Sequence, residues 1–386
     1  MIRVLHVLGG TERGGIETWV LNVLRNLDRT RFSMDILVHG QERGAYEDEM
    51  RGLGARILRC PHYRRPWKYA FDFVRYLSAF GPYDVVHTHG GYFSGLNMLL
   101  AMLWRVPVRI VHGHTAERYL RQQEGIFRQV YYRTMGMLVR KCSTIELAAS
   151  RAAAEDYYGH NWESCGKVSI LPCGVDLRPF RHPYDAHSVR QELGLPSDTL
   201  VVGHVGRFTL QKNHPFILEI FREVLVRDPN AVLVLAGDGL LESQVRTRVK
   251  QMSLEDRVLF LGSRPDIPRL LITCIDVFLF PSLSEGLGLA LVEAQAACLR
   301  CVISDAIPKE ADLVPDLVTR LSLSQSPGAW AEALLATALK PVPVSPAEAL
   351  AIITSSPYNI HQSVKSLERI YEDSVFNSVA RALSMT

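Results

Sequence analysis

Two carboxylates in this chain are spaced to suit a hydroxyl-rich ligand. Glu285 and Glu293 flank the start of the segment Gly286-Leu287-Gly288-Leu289-Ala290-Leu291-Val292. The apolar run Val277-Phe278-Leu279-Phe280 before them predicts a buried parallel strand, Glu285-Gly286-Leu287-Gly288 a flexible turn, and Leu289 the start of a helix. A helix N-terminus presents unsatisfied N–H groups and partial positive charge, so it favours phosphate. A carboxylate accepts hydrogen bonds from paired hydroxyls, so one Glu could hold a sugar beside that turn and the other a ribose. Two cations complement them. Arg207 and Lys212 project from a strand–turn–helix segment, Val201 to His214. A planar arginine fork and a lysine point charge suit a diphosphate, and each charge-assisted bond is worth roughly 1.5–3 kcal/mol.

These residues need rigid elements to carry them. A chain of 386 residues with 47% hydrophobic content exceeds one ordinary core and suits two α/β domains. Ile2 to Leu8 predicts a first strand, and Ile16 to Leu27 a helix with Ile16, Trp19, Val20, Val23, Leu24 and Leu27 on one face. Between them lies a glycine-rich loop, Gly9-Gly10-Thr11-Glu12-Arg13-Gly14-Gly15. Glycines there let a backbone approach a diphosphate closely. The loop lacks the G-x-G-x-x-G spacing of a dinucleotide site, which disfavours a nicotinamide dehydrogenase, and no G-x4-G-K-[ST] phosphate loop occurs. Further strands are expected at Met34–Val38, Arg56–Leu58, Val85–Thr88, Val108–Val111 and Thr144–Ala148, alternating with helices in a doubly wound parallel sheet. A linker through Arg178 to Pro183 leads to a second domain restarting near Leu200.

Strand C-terminal ends carry the site in such folds. His87-Thr88-His89 and His112-Gly113-His114 both sit at such ends, but without a nearby cysteine or acidic cluster no metal is expected there. The segment Arg105 to Lys141 contains Arg105, Arg109, Arg118, Arg121, Arg128, Arg133, Arg140 and Lys141 against Glu117 and Glu124. Ile126, Phe127, Val130, Tyr131, Met135 and Leu138 interleave with them. The pattern fits either a face resting on anionic lipid or a core helix with a basic solvent side, and the second reading is preferred for most of it. Residues 1–175 hold 23 Lys/Arg against 16 Asp/Glu, the remainder 20 against 24, within a net charge of +3. The basic half points weakly toward an anionic partner. Seven scattered cysteines, with Cys298 and Cys301 the only C-x2-C, fit a reducing compartment. The first apolar run is too short for a signal peptide, and no window reaches the ~20 apolar residues of a membrane helix. A cytoplasmic protein is expected, peripheral on the inner face of the cell membrane if the basic segment meets lipid.

Glu-x7-Glu after a Pro-Ser strand end resembles the donor-site motif of retaining GT-B glycosyltransferases, the large family four that uses nucleotide sugars. The text from Gly262-Ser263-Arg264-Pro265-Asp266-Ile267 to Ile303-Ser304-Asp305 is similar to its exopolysaccharide and capsule branch. The resemblance spans nearly the whole chain. It implies two facing Rossmann-like domains with a cleft between them: residues 1–178, joined by a crossing helix at about 369–386, and residues 179–368. Gly14-Gly15-Ile16-Glu17 matches the family's glycine loop facing the donor phosphates, and His114 its histidine contacting the donor sugar. Arg207 and Lys212 match its pair on the leaving diphosphate, and Arg264 lies in the segment bordering the base. Glu285, Gly286 and Leu287 fall where the sugar and phosphates sit, and Glu293 on the ribose. The implied reaction moves a sugar, as a UDP-sugar, to a hydroxyl of a lipid-linked or other oligosaccharide by front-face displacement. No metal, cofactor or nucleic acid takes part. Three positions depart from the family pattern: Cys173 stands where Asn is usual, and Cys298 and Arg300 where Gly and Pro are. A sugar-nucleotide epimerase of the same fold and a non-catalytic donor-binding scaffold are the alternatives.

Overall fold

The computed structural model describes residues 1–114, 125–185 and 188–384. The chain divides into two compact units, Met1–Gly174 with Ile360–Thr386, and Val175–Asn359. In the first, strands β1 (Ile2–Leu8), β2 (Phe32–Val38), β3 (Ile57–Arg59), β4 (Val85–Thr88), β5 (Val108–Gly113), β6 (Ile145–Ala148) and β7 (Val168–Ile170) form one sheet. Its order is β3-β2-β1-β4-β5-β6-β7, parallel throughout. The intervening helices are α1 (Gly15–Asn26), α2 (Glu47–Gly52), α3 (Pro66–Phe80), α4 (Ser94–Leu103), α5 (Ile126–Cys142) and α6 (Arg151–Tyr158). Buried parallel strands need apolar side chains on both faces, which is why these strands read as continuous Val/Ile/Leu runs.

The second unit opens with α7 (Ser188–Glu192) and carries β8 (Val201–Val205), β9 (Val232–Ala236), β10 (Val258–Gly262), β11 (Val277–Phe280), β12 (Arg300–Ser304) and β13 (Val318–Leu321). These form a parallel sheet in the order β10-β9-β8-β11-β12-β13. Its later helices are α8 (His214–Arg227), α9 (Glu242–Gln251), α10 (Ile267–Thr273), α11 (Leu289–Ala296), α12 (Pro327–Leu339) and α13 (Pro346–Ser355). The chain then returns to the first unit as α14 (Ile360–Ser384). This is the two-sheet α/β architecture expected from the sequence. In each sheet the strand order reverses at one point, between β1 and β4 and between β8 and β11. Ligands of doubly wound sheets bind at that reversal, outside the strand carboxyl ends.

The units divide at Gly174/Val175 and Asn359/Ile360. The Val175 N–H donates to the Tyr358 carbonyl at 2.7 Å, and Val175 bridges Asn359 in parallel. The segment read as a linker is tied down: Phe180 within it, and Val175 and Leu177 just before it, are buried in the second unit's core. The returning helix is continuous from Ile360, so residues 360–368 belong with the first unit.

Candidate functional site

In the second unit the site grows from the ends of β8 and β11, the two strands at the reversal. The loop after β8 lies against the loop after β9 because glycines stand at the contact. A Cβ on Gly237 would fall 2.1 Å from the Gly206 carbonyl oxygen, and both Gly237 and Gly239 have positive φ. The Phe208 N–H donates to the Asp238 carbonyl at 2.7 Å, which holds exposed Arg207 at the tip. Gly206 makes room for its neighbour, since a Cβ there would lie 3.0 Å from Lys212 Cε. A second tie, Leu283 N–H to the Gln211 carbonyl at 2.7 Å, joins the β8 loop to the β11 loop. Lys212 Nζ thereby reaches Glu285 Oε1 at 2.6 Å and lies 4.5 Å from the centre of the Phe280 ring.

The helix after Gly286-Leu287 begins at Leu289, as expected, with Gly288 at φ 88° as its cap and no side-chain cap. Glu293 sits in its second turn. Among the described residues no side chain donates a hydrogen bond to the Glu293 carboxylate. Burial raises its pKa to about 7, partly offset by the Lys212 charge. One cation is thus shared by two carboxylates, one paired and one left for something else.

Arg264 follows β10, but its guanidinium is committed to Asp266 through bonds of 2.8 and 2.6 Å. Two residues of this region were not singled out from sequence. Buried His204 donates from Nδ1 to the Leu279 carbonyl (2.9 Å), leaving Nε2 without a partner, and His214 leaves both ring nitrogens so. Desolvation and the neighbouring Lys212 charge lower the pKa of both, His214 to about 4. A histidine at a strand end and another opening a helix were the available signal. Cys298 adopts φ 59°, a left-handed value glycine takes without strain, and Arg300 bonds the carbonyls of Lys340 and Pro341.

In the first unit Gly14 caps α1 and exposed Gly15 opens it, at the end of β1. The histidines form a polar wall beneath α1 and α14. His6 pairs in register with His87 across β1 and β4, and i, i+2 spacing places His89 and His114 on the same faces as His87 and His112. All five rings are buried. His114 is nearly enclosed, with Nε2 2.8 Å from His89 Nδ1 and Nδ1 3.3 Å from Cys173 Sγ. Cys173, set aside from sequence because it lacks the usual amide, is therefore this histidine's neighbour. Burial lowers the pKa of all five, His6 and His112 to about 3. Two overlapping triads, His6/His87/His89 and His89/His112/His114, bring ring nitrogens within 4.8 Å of one another. Neutral imidazoles are metal ligands, but most of these nitrogens are already hydrogen-bonded, to one another or to Tyr371, Cys173 and the Leu171 carbonyl, and an ion would displace those bonds.

The basic segment corrects an expectation. Arg118, Arg121, Glu117 and Glu124 lie outside the described residues. Within α5 the buried residues are Val139 and Cys142, whereas Ile126, Val130 and Tyr131 are exposed and Phe127 is 89% exposed. Its first two turns are no core helix. The reason is the point of contact with α4: a Cβ on Gly95 would lie 2.5 Å from the Met135 carbonyl oxygen, so α5 docks by its later half. Neighbouring α3 and the end of α4 add exposed Trp67, Phe71, Leu103 and Trp104 beside exposed Arg64, Arg65, Lys68 and Arg105. No helix among the described residues is long and apolar enough to cross a membrane.

Known proteins share this chain's family pattern and its fold. Residues 13–178 match Glycosyltransferase Family 4, and residues 185–342 match Glycosyl transferases group 1. EpsF of Bacillus subtilis (strain 168), assigned as a glycosyltransferase, is 35% identical over 380 residues, spanning 96% of both chains. The UDP-Gal:alpha-D-GlcNAc-diphosphoundecaprenol alpha-1,3-galactosyltransferase of Escherichia coli is 33% identical over 229 residues, 58% of each chain. Among solved structures, Anabaena HepE in complex with UDP and glucose superimposes with a TM-score of 0.77 at 18% identity, covering 96% of this chain and 100% of that one.

Proposed function

The chain belongs to glycosyltransferase family 4, with the GT-B fold, and we propose that it is a retaining transferase moving a sugar from a UDP-sugar to a hydroxyl of a lipid-linked oligosaccharide. The observation that carries this reading is the grouping of Lys212 with Glu285 and Glu293 at the β8/β11 reversal, beside Arg207. Lys212 and Arg207 neutralise the diphosphate, the α11 N-terminus with Gly286 and Leu287 receives its oxygens, and Glu293 accepts the ribose hydroxyls. Glu285 and, from the first unit, His114 hold the sugar, while Gly14 and Gly15 border the phosphates. The sugar C1–phosphate bond breaks as the acceptor oxygen bonds C1 from the same face. The acceptor proton passes to the departing phosphate oxygen. Preorganised cations stabilise the charge developing there, so the reaction needs no metal. The UDP assignment is supported by what the E. coli and Anabaena proteins are named as binding or using, and the lipid-linked acceptor by the former.

The exposed apolar and basic residues of α3, α4 and α5 suit the surface of a membrane holding such an acceptor. Aromatic and aliphatic side chains enter the headgroup boundary while Arg and Lys meet anionic lipid. The test is incubation with a panel of nucleotide sugars, with and without membrane extract. Diphosphate release that depends on the extract, with the product keeping the donor's anomeric configuration, supports the transferase. An isomerised donor without acceptor indicates an epimerase, and binding without turnover a scaffold.

A further inference from the structure

Four of the first unit's histidines form a single hydrogen-bonded chain whose ends are unlike. Tyr371 Oη of α14 lies 2.7 Å from His87 Nδ1 and 3.0 Å from His6 Nε2. His6 Nδ1 lies 2.9 Å from His89 Nε2, His89 Nδ1 2.8 Å from His114 Nε2, and His114 Nδ1 3.3 Å from Cys173 Sγ. We infer that this chain, anchored by Tyr371, fixes His114 as its Nδ1–H tautomer, so that His114 offers the transferred sugar a neutral hydrogen-bond donor at Nδ1. Tyr371, His6 and His89 are its positioning residues. The inference rests on the reading that His114 touches the sugar.

A neutral imidazole has one N–H and one lone pair, and the buried Tyr371 O–H is stranded unless it goes to one of its two ring neighbours, so the direction chosen at one link fixes every other. All the rings are neutral here, because burial keeps each from taking a second proton. Two polarities remain. In one, His114 donates from Nε2 to His89, His89 to His6, and His6 to Tyr371, whose hydroxyl then donates to His87 Nδ1. His87 must then carry its proton on Nε2. In the other, every arrow reverses: His87 Nδ1–H donates to Tyr371, and the chain ends with His114 Nδ1–H facing the thiol. The Cys173 end does not choose, since a thiol is a weak donor and a weak acceptor.

The His87 end does choose. His87 Nε2 is buried without a partner, so the first polarity strands an N–H there and the second only a lone pair. Orphaned buried N–H groups are the rarer of the two in proteins. His112 shows the preference in the same wall: its Nε2 must donate to the Leu171 carbonyl at 3.1 Å, which leaves the partnerless Nδ1 as the lone pair. His114 therefore ends as a donor against sulfur, a poor acceptor that a sugar oxygen replaces with gain.

The test is ring-nitrogen NMR of the full chain labelled with 15N-histidine, with transfer assays of His114 and Tyr371 variants. The Nδ1–H form is expected for His114 in the wild type, and a mixture of both tautomers in Tyr371→Phe, which loses the link to His87. An asparagine amide stands near Nδ1 and a glutamine amide near Nε2, so His114→Asn should retain about tenfold more turnover than His114→Gln, the worth of one hydrogen bond. A wild-type His114 protonated on Nε2 overturns the inference even if no variant folds. So does a pure Nδ1–H form persisting in Tyr371→Phe, or His114→Gln matching His114→Asn while both are impaired. If His114→Asn, His114→Gln and His114→Ala all transfer at the wild-type rate, the sugar-contact reading fails instead, and the tautomer spectrum still reports on the chain by itself.

Discussion

The polar groups of the two units are organised in opposite ways. In the first, four histidines (His6, His87, His89 and His114), Tyr371 and Cys173 are buried, neutral and bonded to one another in a line. In the second, Arg207 is exposed, Lys212 and Glu285 form a 2.6 Å pair, and Glu293 has its pKa raised by burial with no donor of its own. A line of neutral groups bonded link to link holds a geometry, with only its two ends, His87 Nε2 and the thiol-facing His114 Nδ1, left poorly met. An unfinished cluster of charges awaits a ligand that completes it. Buried polar groups left unmet cost about 1–3 kcal/mol each, and a diphosphate sugar would relieve that cost in the second unit.

The sharpest break of this contrast is Lys212→Ala. It removes the cation that pairs with Glu285 and acts on Glu293. Turnover should fall by about 100- to 1,000-fold, the range for losing one preorganised transition-state donor, while the fold survives. Near-wild-type turnover in steady-state assays of a folded Lys212→Ala protein removes Lys212 from the diphosphate.

Glu285→Gln should have the next largest effect, about 10- to 100-fold on turnover, with UDP affinity unchanged or slightly tighter because Lys212 loses its counter-ion. Calorimetry with UDP reads this directly. Weakened UDP binding in this variant alone would exchange the roles of the two glutamates.

Much of the second unit's site is legible in the sequence because its residues sit in local strand–turn–helix segments. Val277–Phe280, the glycine turn and the helix from Leu289 are found where the pattern places them. The pairing of Lys212 with Glu285 joins two such segments, and their tie through Leu283 and Gln211 is a tertiary fact. The first unit's wall was legible only in part. The His-x-His pairs at strand ends announce shared faces, but His6 is hidden in an apolar strand. Tyr371 arrives from a helix more than 250 residues away from the histidines it anchors. The basic segment misled for a related reason: helical spacing of apolar residues marks a face without saying what covers it, and Gly95 directs α4 to the later half of α5.

Acid should sharpen the contrast between the units. Histidines held near pKa 3 in the folded state, against 6.5 unfolded, bind fewer protons when folded across that interval. Stability is then full above about pH 6.5 and is lost as pH falls toward 3. Hydrogen exchange at pH 5 should show greater loss of protection around β1, β4 and β5 than around β9 and β12. The second unit loses some protection too, through buried His204 and His214, but loss around β1, β4 and β5 no greater than around β9 and β12 would deny the first wall its neutral state.

The smallest effect is expected at the surface of α3, α4 and α5. Binding to anionic vesicles should weaken several-fold as salt rises, because charge attraction is screened within ~8–10 Å at ordinary ionic strength. Phe127→Ser should weaken it further at any salt. Equal binding to neutral and anionic vesicles would point to a solvated face instead.

The donor assignment meets its most direct test in calorimetry of UDP binding to wild type and Glu293→Gln at pH 6 and pH 8. A ribose bonds an ionised carboxylate best, and Glu293 changes charge near pH 7, so the wild type should gain affinity over Glu293→Gln as pH rises. The difference between the two proteins cancels the ionisation of UDP itself. Glu293→Gln is predicted to bind UDP about tenfold more weakly at pH 8 and nearly as well as wild type at pH 6. Equal UDP affinity of the two proteins at both pH values would contradict the placement of the nucleotide on Glu293.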